Sequence, residues 1–527
     1  MNNSKVLDCT LRDGGYCNQW KFGEKNIIKV LSKLTEAKID IIECGFLTNK
    51  GIYTEDYTKY NHIETINGIL QKLSSNSMFV CMLNYGEFDA EQLPRYNGEG
   101  IQGIRVAFHK KNKLQAIEEC KKIKEKGYKV FLQAMVSLSY TDQEFLELIH
   151  DCNELEPYAL YIVDSFGAME WRDIVRYFYL MEHNLKKGIY IGYHAHNNKQ
   201  LAYSNAQKML QLQTNRQLII DSSLMGMGRG AGNLNTELII EYLNRNKKSE
   251  YQIKLLLQAI DEVINSFFHR SFWGYSAVYY LSSTYNIHPN YATYLSDKNT
   301  LKLENIDEIF SEMDVEKRVS YDQNYIEKLY RRYMLNIDTE PIMFQRIQSL
   351  RKNKKILILL PGKSIEEESK IIHEFMEKYD GITISVNFSS RIYKEDYIFL
   401  SNLRRTETID IVNNANRIIA TSNIPNNGFY LSIPYKKLLN DVPYVEDNAC
   451  MMLLKLLTLF TEADEIYLAG LDGFSTDSRR NYYRSEYEIF AKNETYQAIN
   501  QALAIALGQF AKECKIQFIT TPRYVTM

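Results

Sequence analysis

From Lys5 to about Gly226 the chain alternates short apolar runs with longer amphipathic ones. The runs Val6–Cys9, Ile39–Glu43, Met78–Leu83, Gly103–Ala107, Val130–Ala134, Ala159–Val163, Ile189–Tyr193 and Leu218–Ser222 have the length and near-continuous apolarity of buried parallel strands. Between them, Asn26–Ala37, Leu114–Lys126, Asp142–Glu154 and Gln200–Leu212 place apolar residues at helical spacing. Eight β-then-α units over about 230 residues predict a (β/α)8 TIM barrel, an α/β fold. An open doubly wound sheet is the competing architecture, but it rarely runs to eight uniform units.

Polar residues break this pattern where barrel enzymes carry their chemistry, at the carboxyl ends of the strands. Arg12 and Asp13 follow the first strand, Glu43 ends the second and Asn84 follows the third. Arg105 and His109 flank the end of the fourth, Gln133 lies in the fifth and Asp164 follows the sixth. His194 and His196 end the seventh, and a glycine-rich loop, Gly226–Asn233, follows the eighth and opens a helix. In an extended segment the side chains at i and i+2 share a side, so His194 and His196 can grip one metal ion together. An ordinary polar strand end is the plainer reading, and two imidazoles at this spacing make it the weaker one. LDCTLRDGGY at Leu7–Tyr16 offers the oxygen ligand that such a pair needs. Free N–H groups in the glycine-rich loop would suit a carboxylate or phosphate.

The pattern restarts at Lys354. KKILILL reads as a strand, followed by PGKS and an acidic helix over Ile365–Tyr379. The tetrapeptide is no P-loop, because Leu357 stands where the first glycine is required. Strands at Ile382–Val386, Tyr397–Ser401, Arg417–Thr421, Glu465–Ala469 and Ile516–Thr520 predict an open, mostly parallel, Rossmann-like sheet. A weak ligand site is expected at its strand ends, with Gly362, Ser364, Asn387 and Asp472. The expected division is a barrel over 1–300, a helical cover or linker over 301–350, and the second α/β domain over 351–527.

Composition narrows the classes. A net charge of −2 over 527 residues gives no electrostatic case for nucleic acid or an anionic membrane. The eight cysteines form no CxxC pair and fit reduced thiols. No leader-like start and no run of 18 apolar residues occur, so a cytoplasmic protein without membrane insertion is expected, acting on small molecules as a homo-oligomer.

TLRDG at Thr10–Gly14, IECGF at Ile42–Phe46, VDSFG at Val163–Gly167, HAHN at His194–Asn197 and GRGAGN at Gly228–Asn233 occur in that order. Together they resemble the metal-dependent aldolase/lyase superfamily of 4-hydroxy-2-oxovalerate aldolase, hydroxymethylglutaryl-CoA lyase and isopropylmalate synthase, over roughly residues 1–300. The resemblance implies that Asp13, His194 and His196 bind a divalent metal, with Asn233 as a further ligand. Mn²⁺ or Mg²⁺ suits mixed N/O ligation, and Co²⁺ is a third candidate. Arg12 would hold the oxygens of a 2-oxo acid, the metal would stabilise a pyruvate enolate, and Glu43, Gln133 and Asp164 would line or support the site.

Within the superfamily, Gly14 and Gly15 stand where the synthases and CoA lyases carry an acidic residue, and GYSAVYYLSS at Gly274–Ser283 is similar to the aldolase branch. That similarity makes Tyr279 a residue near the substrate. One departure concerns the general base: Tyr16 stands where the aldolases place a histidine, and an ordinary tyrosine titrates near pH ~10. Either Tyr16 acts with a depressed pKa, or His109, His288 or a metal-bound water replaces it. The implied function is a class II pyruvate-type aldolase, with an aldehyde derived from a sugar in surface polysaccharide metabolism as an extension. An acyl-CoA-dependent Claisen synthase or lyase and a non-catalytic barrel scaffold are the alternatives. The second half is faintly similar to bacterial sialyltransferase-like and motility-associated glycosyltransferase-like domains, through LLPGKSIEE, ISVNF and EADEIYLAGLDGF. It lacks their late histidine and reads instead as a nucleotide-sugar or sugar-binding domain, or as a structural dimerisation domain.

Overall fold

The computed structural model describes residues 4–73, 76–335, 355–425, 428–461, 463–489, 491 and 493–525. Residues 336–354, part of the expected helical linker, lie outside these described residues. The chain divides into two compact units, Met1–Thr293 with Met313–Tyr321, and Tyr294–Glu312 with Asp322–Met527.

The first unit is an eight-stranded parallel barrel. Its strands are β1 (Ser4–Asp8), β2 (Ile41–Leu47), β4 (Met78–Asn84), β5 (Gly103–Phe108), β6 (Lys129–Ala134), β7 (Ala159–Asp164), β8 (Tyr190–Ala195) and β9 (Leu218–Ser222), with a two-residue β3 (Lys59–Tyr60) appended to β2. The barrel closes where β1 pairs with β9, Ser4 opposite Leu218, and with β2, Leu7 opposite Ile41. Val6, Ile42, Ile104, Leu132, Ile162 and Ile220 point outward and pack beneath the surrounding helices, among them Glu24–Glu36, Lys113–Glu125 and Trp171–Asn184.

Inward positions alternate with these and form layers. The amino-end layer is apolar, with Leu7, Ile41, Val80, Phe131, Tyr161 and Ile219. Two glycines make it fit: a Cβ on Gly192 would lie 2.4 Å from the Tyr161 ring, and one on Gly103 would lie 2.7 Å from the Phe131 ring. One step further along the same strands the layer turns ionic. Fully buried Arg105 lies 2.9 Å from Glu43 and also pairs with Asp221, and its guanidinium stacks 4.9 Å over Tyr161. Gln133, with its amide oxygen turned inward, accepts from Arg105 at 2.9 Å.

The second unit is an open, wholly parallel sheet. Its strands are β10 (Lys355–Leu359), β11 (Ile382–Val386), β12 (Tyr397–Leu400), β13 (Ile418–Thr421), β14 (Leu431–Ile433), β15 (Glu465–Ala469) and β16 (Lys515–Phe518). They lie in the order β14-β13-β12-β11-β10-β15-β16, so the winding reverses between β10 and β15. The expected helix over Ile365–Tyr379 is broken at Glu368 into Ser364–Glu367 and Ser369–Met376. The three-residue β14 is too short to show as a run in the sequence.

Removing Arg105 would leave Asp221 buried without a guanidinium partner and Glu43 with Arg12 alone. Arg105→Met is therefore expected to cost about 3–5 kcal/mol of unfolding free energy, measured by urea denaturation followed by circular dichroism. A loss below about 1 kcal/mol would show that the ionic layer is not structural.

Candidate metal centre

Four strand ends converge above the ionic layer. After β1 the chain turns into a short helix, Thr10–Asp13, which carries Arg12 and Asp13 inward. Arg12 Nε donates to Glu43 Oε2 at 2.7 Å and Nη1 to Asp13 Oδ1 at 2.5 Å, while its Nη2 is buried without a partner among the described residues. His194 occupies an inward position of β8, and His196 follows just past the strand, where it bridges to Asn233 of the glycine-rich loop. The imidazole centroids are 5.3 Å apart. Asp13, His194 and His196, all buried, bring ligand atoms within 4.8 Å of one another.

The environment suits a cation. Arg12, Arg105 and Arg229 stand against three carboxylates, Asp13, Glu43 and Asp221, beside two imidazoles. His194 Nδ1 lies 3.1 Å from Asp221, the outer-shell arrangement that orients a ligating histidine. Burial, against the pull of Asp13 and helped by Arg229, pushes His196 down to about 3, so its imidazole is neutral and able to coordinate. For Asp13, burial works upward, but Arg12, the two histidines and Arg229 hold the carboxyl well below the usual range. Asn233 Oδ1 is buried and unpartnered among the described residues, while its Nδ2 donates to Asp13 Oδ2 at 2.7 Å.

The glycine-rich loop works differently from expectation. Most of its N–H groups bond within the protein: those of Gly226, Met227, Gly232 and Asn233 to main-chain carbonyls, Arg229 N to Asp13 Oδ2 at 3.4 Å and Ala231 N to Asn198 Oδ1 at 3.0 Å. What the loop supplies is close approach, since a Cβ on Gly228 would sit 2.5 Å from Asp13 Oδ2 and 2.3 Å from Asn233 Nδ2.

The remaining candidates separate. Asp164 takes the N–H groups of Ala168 and Met169 at 2.8 and 3.1 Å and so shapes the loop after β7. Burial, opposed by those two bonds, pushes its carboxyl up to about 7. Tyr279 bonds through its hydroxyl to Thr293 at 3.1 Å. Tyr16 sits over Trp20, ring centroids 4.7 Å apart, with the Arg229 guanidinium 5.5 Å from its own ring. The surrounding protein raises its pKa, desolvation outweighing the pull of Arg229, while the side chain remains 36% exposed.

Sequence reasoning missed Asp221, hidden in the apolar run LIIDS, and Arg229. Arg229 Nη2 donates to Ser165 O at 3.2 Å and Nη1 lies 3.3 Å from His288 Nε2. Burial, then Arg229, His109 and His196, drive His288 well below its ordinary pKa.

An eight-stranded parallel barrel with a buried Asp–His–His set at its strand ends has the form of a metal-dependent barrel enzyme. Residues 104–266 match the HMGL-like family. The chain is 27% identical over 246 residues to 4-hydroxy-2-oxovalerate aldolase of Geobacillus genomosp. 3, covering 46% of this chain and 70% of that protein. It is 26% identical over 261 residues to the Pelotomaculum thermopropionicum enzyme of the same name, covering 49% and 74%. Among solved structures, the N-terminal domain of a candidate aldolase from Bacteroides vulgatus matches 55% of this chain and 96% of that one, at 25% identity and a TM-score of 0.47. The N-terminal unit is thus similar, over residues 104–266, to the HMGL-like family and, over about half of the chain, to 4-hydroxy-2-oxovalerate aldolases. Among the described residues no helix is long and apolar enough to cross a membrane.

Two outcomes follow for this centre. Gly228→Ala forces Asp13 or Asn233 aside, so Mn²⁺ affinity by calorimetry is expected to fall about 10- to 100-fold with the melting profile retained, and unchanged affinity would remove Asp13 from the ligand set. Asp164 keeps its proton in the folded chain up to about pH 7, whereas an ordinary carboxyl, at 3.8, has already lost it. Its stability contribution is full at low pH and declines as pH rises from about 4 to 7. Asp164→Asn should flatten that part of the unfolding free energy against pH, measured by denaturant titration.

Proposed function

We propose that the barrel is a divalent-metal-dependent, class II aldolase that makes or breaks a C–C bond between a pyruvate enolate and an aldehyde. The observation that carries this reading is Arg12: a guanidinium locked by Glu43 and Asp13, with Nη2 left free beside the Asp13–His194–His196 set. A fixed planar cation with an open N–H is shaped for the carboxylate of a 2-oxo acid. Lewis-acid stabilisation of the enolate charge is what a divalent ion, Mn²⁺ or Mg²⁺, held by those three residues supplies.

The aldolase chemistry is favoured over the CoA-dependent one by the space at Gly14. A Cβ there would come 2.3 Å from the Thr10 carbonyl, so the acidic side chain of the synthase branch has no place in this backbone. The polar mouth, with Arg229 spanning Ser165 and His288, suits a hydroxyl-rich, sugar-derived aldehyde.

Proton transfer falls to His288. Its imidazole is neutral, and Arg229 is the nearest group that weakens it as a base. An anionic group of the substrate settling on Arg229 would cancel that repulsion and raise the basicity of His288 when substrate is bound. Tyr16, 36% exposed beside Arg229, would serve as a hydrogen-bond donor to the substrate.

The test is exchange of pyruvate methyl protons for deuterium, followed by NMR with metal added or chelated. Metal-dependent exchange lost in Arg12→Lys supports the reading, and exchange indifferent to metal would sink it. His288→Gln is expected to slow exchange about 10²–10⁴-fold and Tyr16→Phe less than about 10-fold; the reverse order would return proton transfer to Tyr16.

A further inference from the structure

A cavity of about 720 Å³ lies wholly within the second unit, outside the carboxyl ends of β10, β11, β12 and β15. It therefore straddles the point where the strand order reverses, the place at which open parallel sheets bind small molecules. We propose that this cavity is a ligand site in its own right, for a small molecule that joins one phosphate or carboxylate to a hydroxyl-rich body, with Arg405 holding the anion.

Arg405 follows β12 and is only 7% exposed. Its Nη1 and Nη2 donate to the main-chain carbonyls of Glu486 and Tyr487 at 3.2 and 2.6 Å, and its guanidinium stacks against the rings of Tyr482 and Tyr487 at 5.5 and 5.2 Å. No carboxylate among the described residues lies within ion-pair reach of it. The other cations lining the cavity face several carboxylates: Lys298 and Arg331 share Glu327, at 3.1 and 2.5 Å, and Glu446 and Asp447 act on both. A guanidinium fixed, buried and left without a counter-charge is costly unless an anion arrives. Burial and then Arg404 push Arg405 below its ordinary pKa, which agrees with the missing counter-charge.

The alternative anion position is already taken. The N–H of Ser364, at the start of the turn of helix after β10, donates to Asp472 Oδ2 at 2.9 Å, and the Ser364 hydroxyl donates to the other oxygen of that carboxylate. Gly362 is pressed against the same group, since a Cβ there would lie 2.9 Å from Asp472. Three of the four residues expected as ligand contacts thus hold one another, and a ligand phosphate would meet the Asp472 carboxylate there. Asn387, the fourth, uses its Oδ1 on Ser401 N at 3.0 Å, which leaves its NH₂ as a donor on the cavity wall.

The volume and the mixture of charges define the rest of the ligand. About 720 Å³ far exceeds a lone phosphate or acetate. Acids such as Glu446 and Asp472 share the lining with amides, so a polyanion is disfavoured and hydroxyl groups are suited. One anion on Arg405 and several hydroxyls elsewhere satisfy both.

The experiment is calorimetric titration of the full chain with ribose 5-phosphate, gluconate, inorganic phosphate and ribose, for wild type, Arg405→Gln and Arg405→Lys. At least one of ribose 5-phosphate and gluconate should bind about 10- to 100-fold more tightly than inorganic phosphate or ribose. Preference between the two assigns the anion as phosphate or carboxylate. Arg405→Gln should lose about 10- to 100-fold in affinity and Arg405→Lys less. Asn387→Asp, which adds charge to the wall without touching the Arg405 clamp, should weaken the same ligand and covers the case in which Arg405→Gln fails to fold. Binding of neither anionic polyol, equal binding by wild type and both the Gln and Asp variants, or inorganic phosphate binding as tightly as the polyols would each overturn the proposal. None of these readings depends on chemistry in the barrel.

Discussion

The constraint on which the first unit depends is the buried ionic chain Glu43–Arg105–Asp221, with His194 against its far end. Desolvating three charges is expensive, and only mutual pairing with good geometry offsets it. Each member comes from a different strand, so a slip of one residue in β2, β5 or β9 would turn its charge outward among apolar side chains. The chain of charges therefore fixes register as well as balance. It also stands immediately below the candidate ligands, so the rigidity that register requires becomes rigidity of His194 through Asp221 and of Arg12 through Glu43.

Above that layer, closeness rather than charge is the limiting quantity. Asp13 is approached by Arg12, Asn233 and the Arg229 main chain at once, and this crowding is tolerated because Gly228 contributes no side chain. The loop after β9 is thus a spacer that brings backbone against a carboxylate. Its sequence looks like that of an anion-binding loop because both tasks need glycine. The structure separates them by where the N–H groups go.

What was legible in the sequence is what repeats or alternates. The eight strand–helix units repeat, and the i, i+2 spacing of His194 and His196 at a strand end carries its own geometry. Residues whose meaning depends on a distant partner were not legible. Asp221 is one polar letter in an apolar strand until Arg105 and His194 are seen against it. Asp164 ends its strand, where a residue supporting the site would stand, and only its bonds to Ala168 and Met169 show that it builds a loop. Tyr16 shows its contacts with the Trp20 ring and the Arg229 guanidinium only in the fold. In the second half, PGKS pointed to the right end of the right strand, but its hydrogen bonds are turned inward to Asp472.

The two units place charge at strand ends in opposite ways, and the contrast bears on what each can hold. In the barrel, carboxylates gather around the Asp13–His194–His196 set, whose His196 imidazole is neutral, an arrangement that would hold a cation. In the open sheet, Asp472 fills the helix start where an anion would otherwise settle, which displaces the unmet charge to Arg405 beyond β12. A carboxylate that belongs to the protein is never released, so that start of helix is permanently closed, whereas Arg405 is held by carbonyls and rings that do not neutralise it. The site left open is therefore the one whose charge nothing within reach in the fold satisfies.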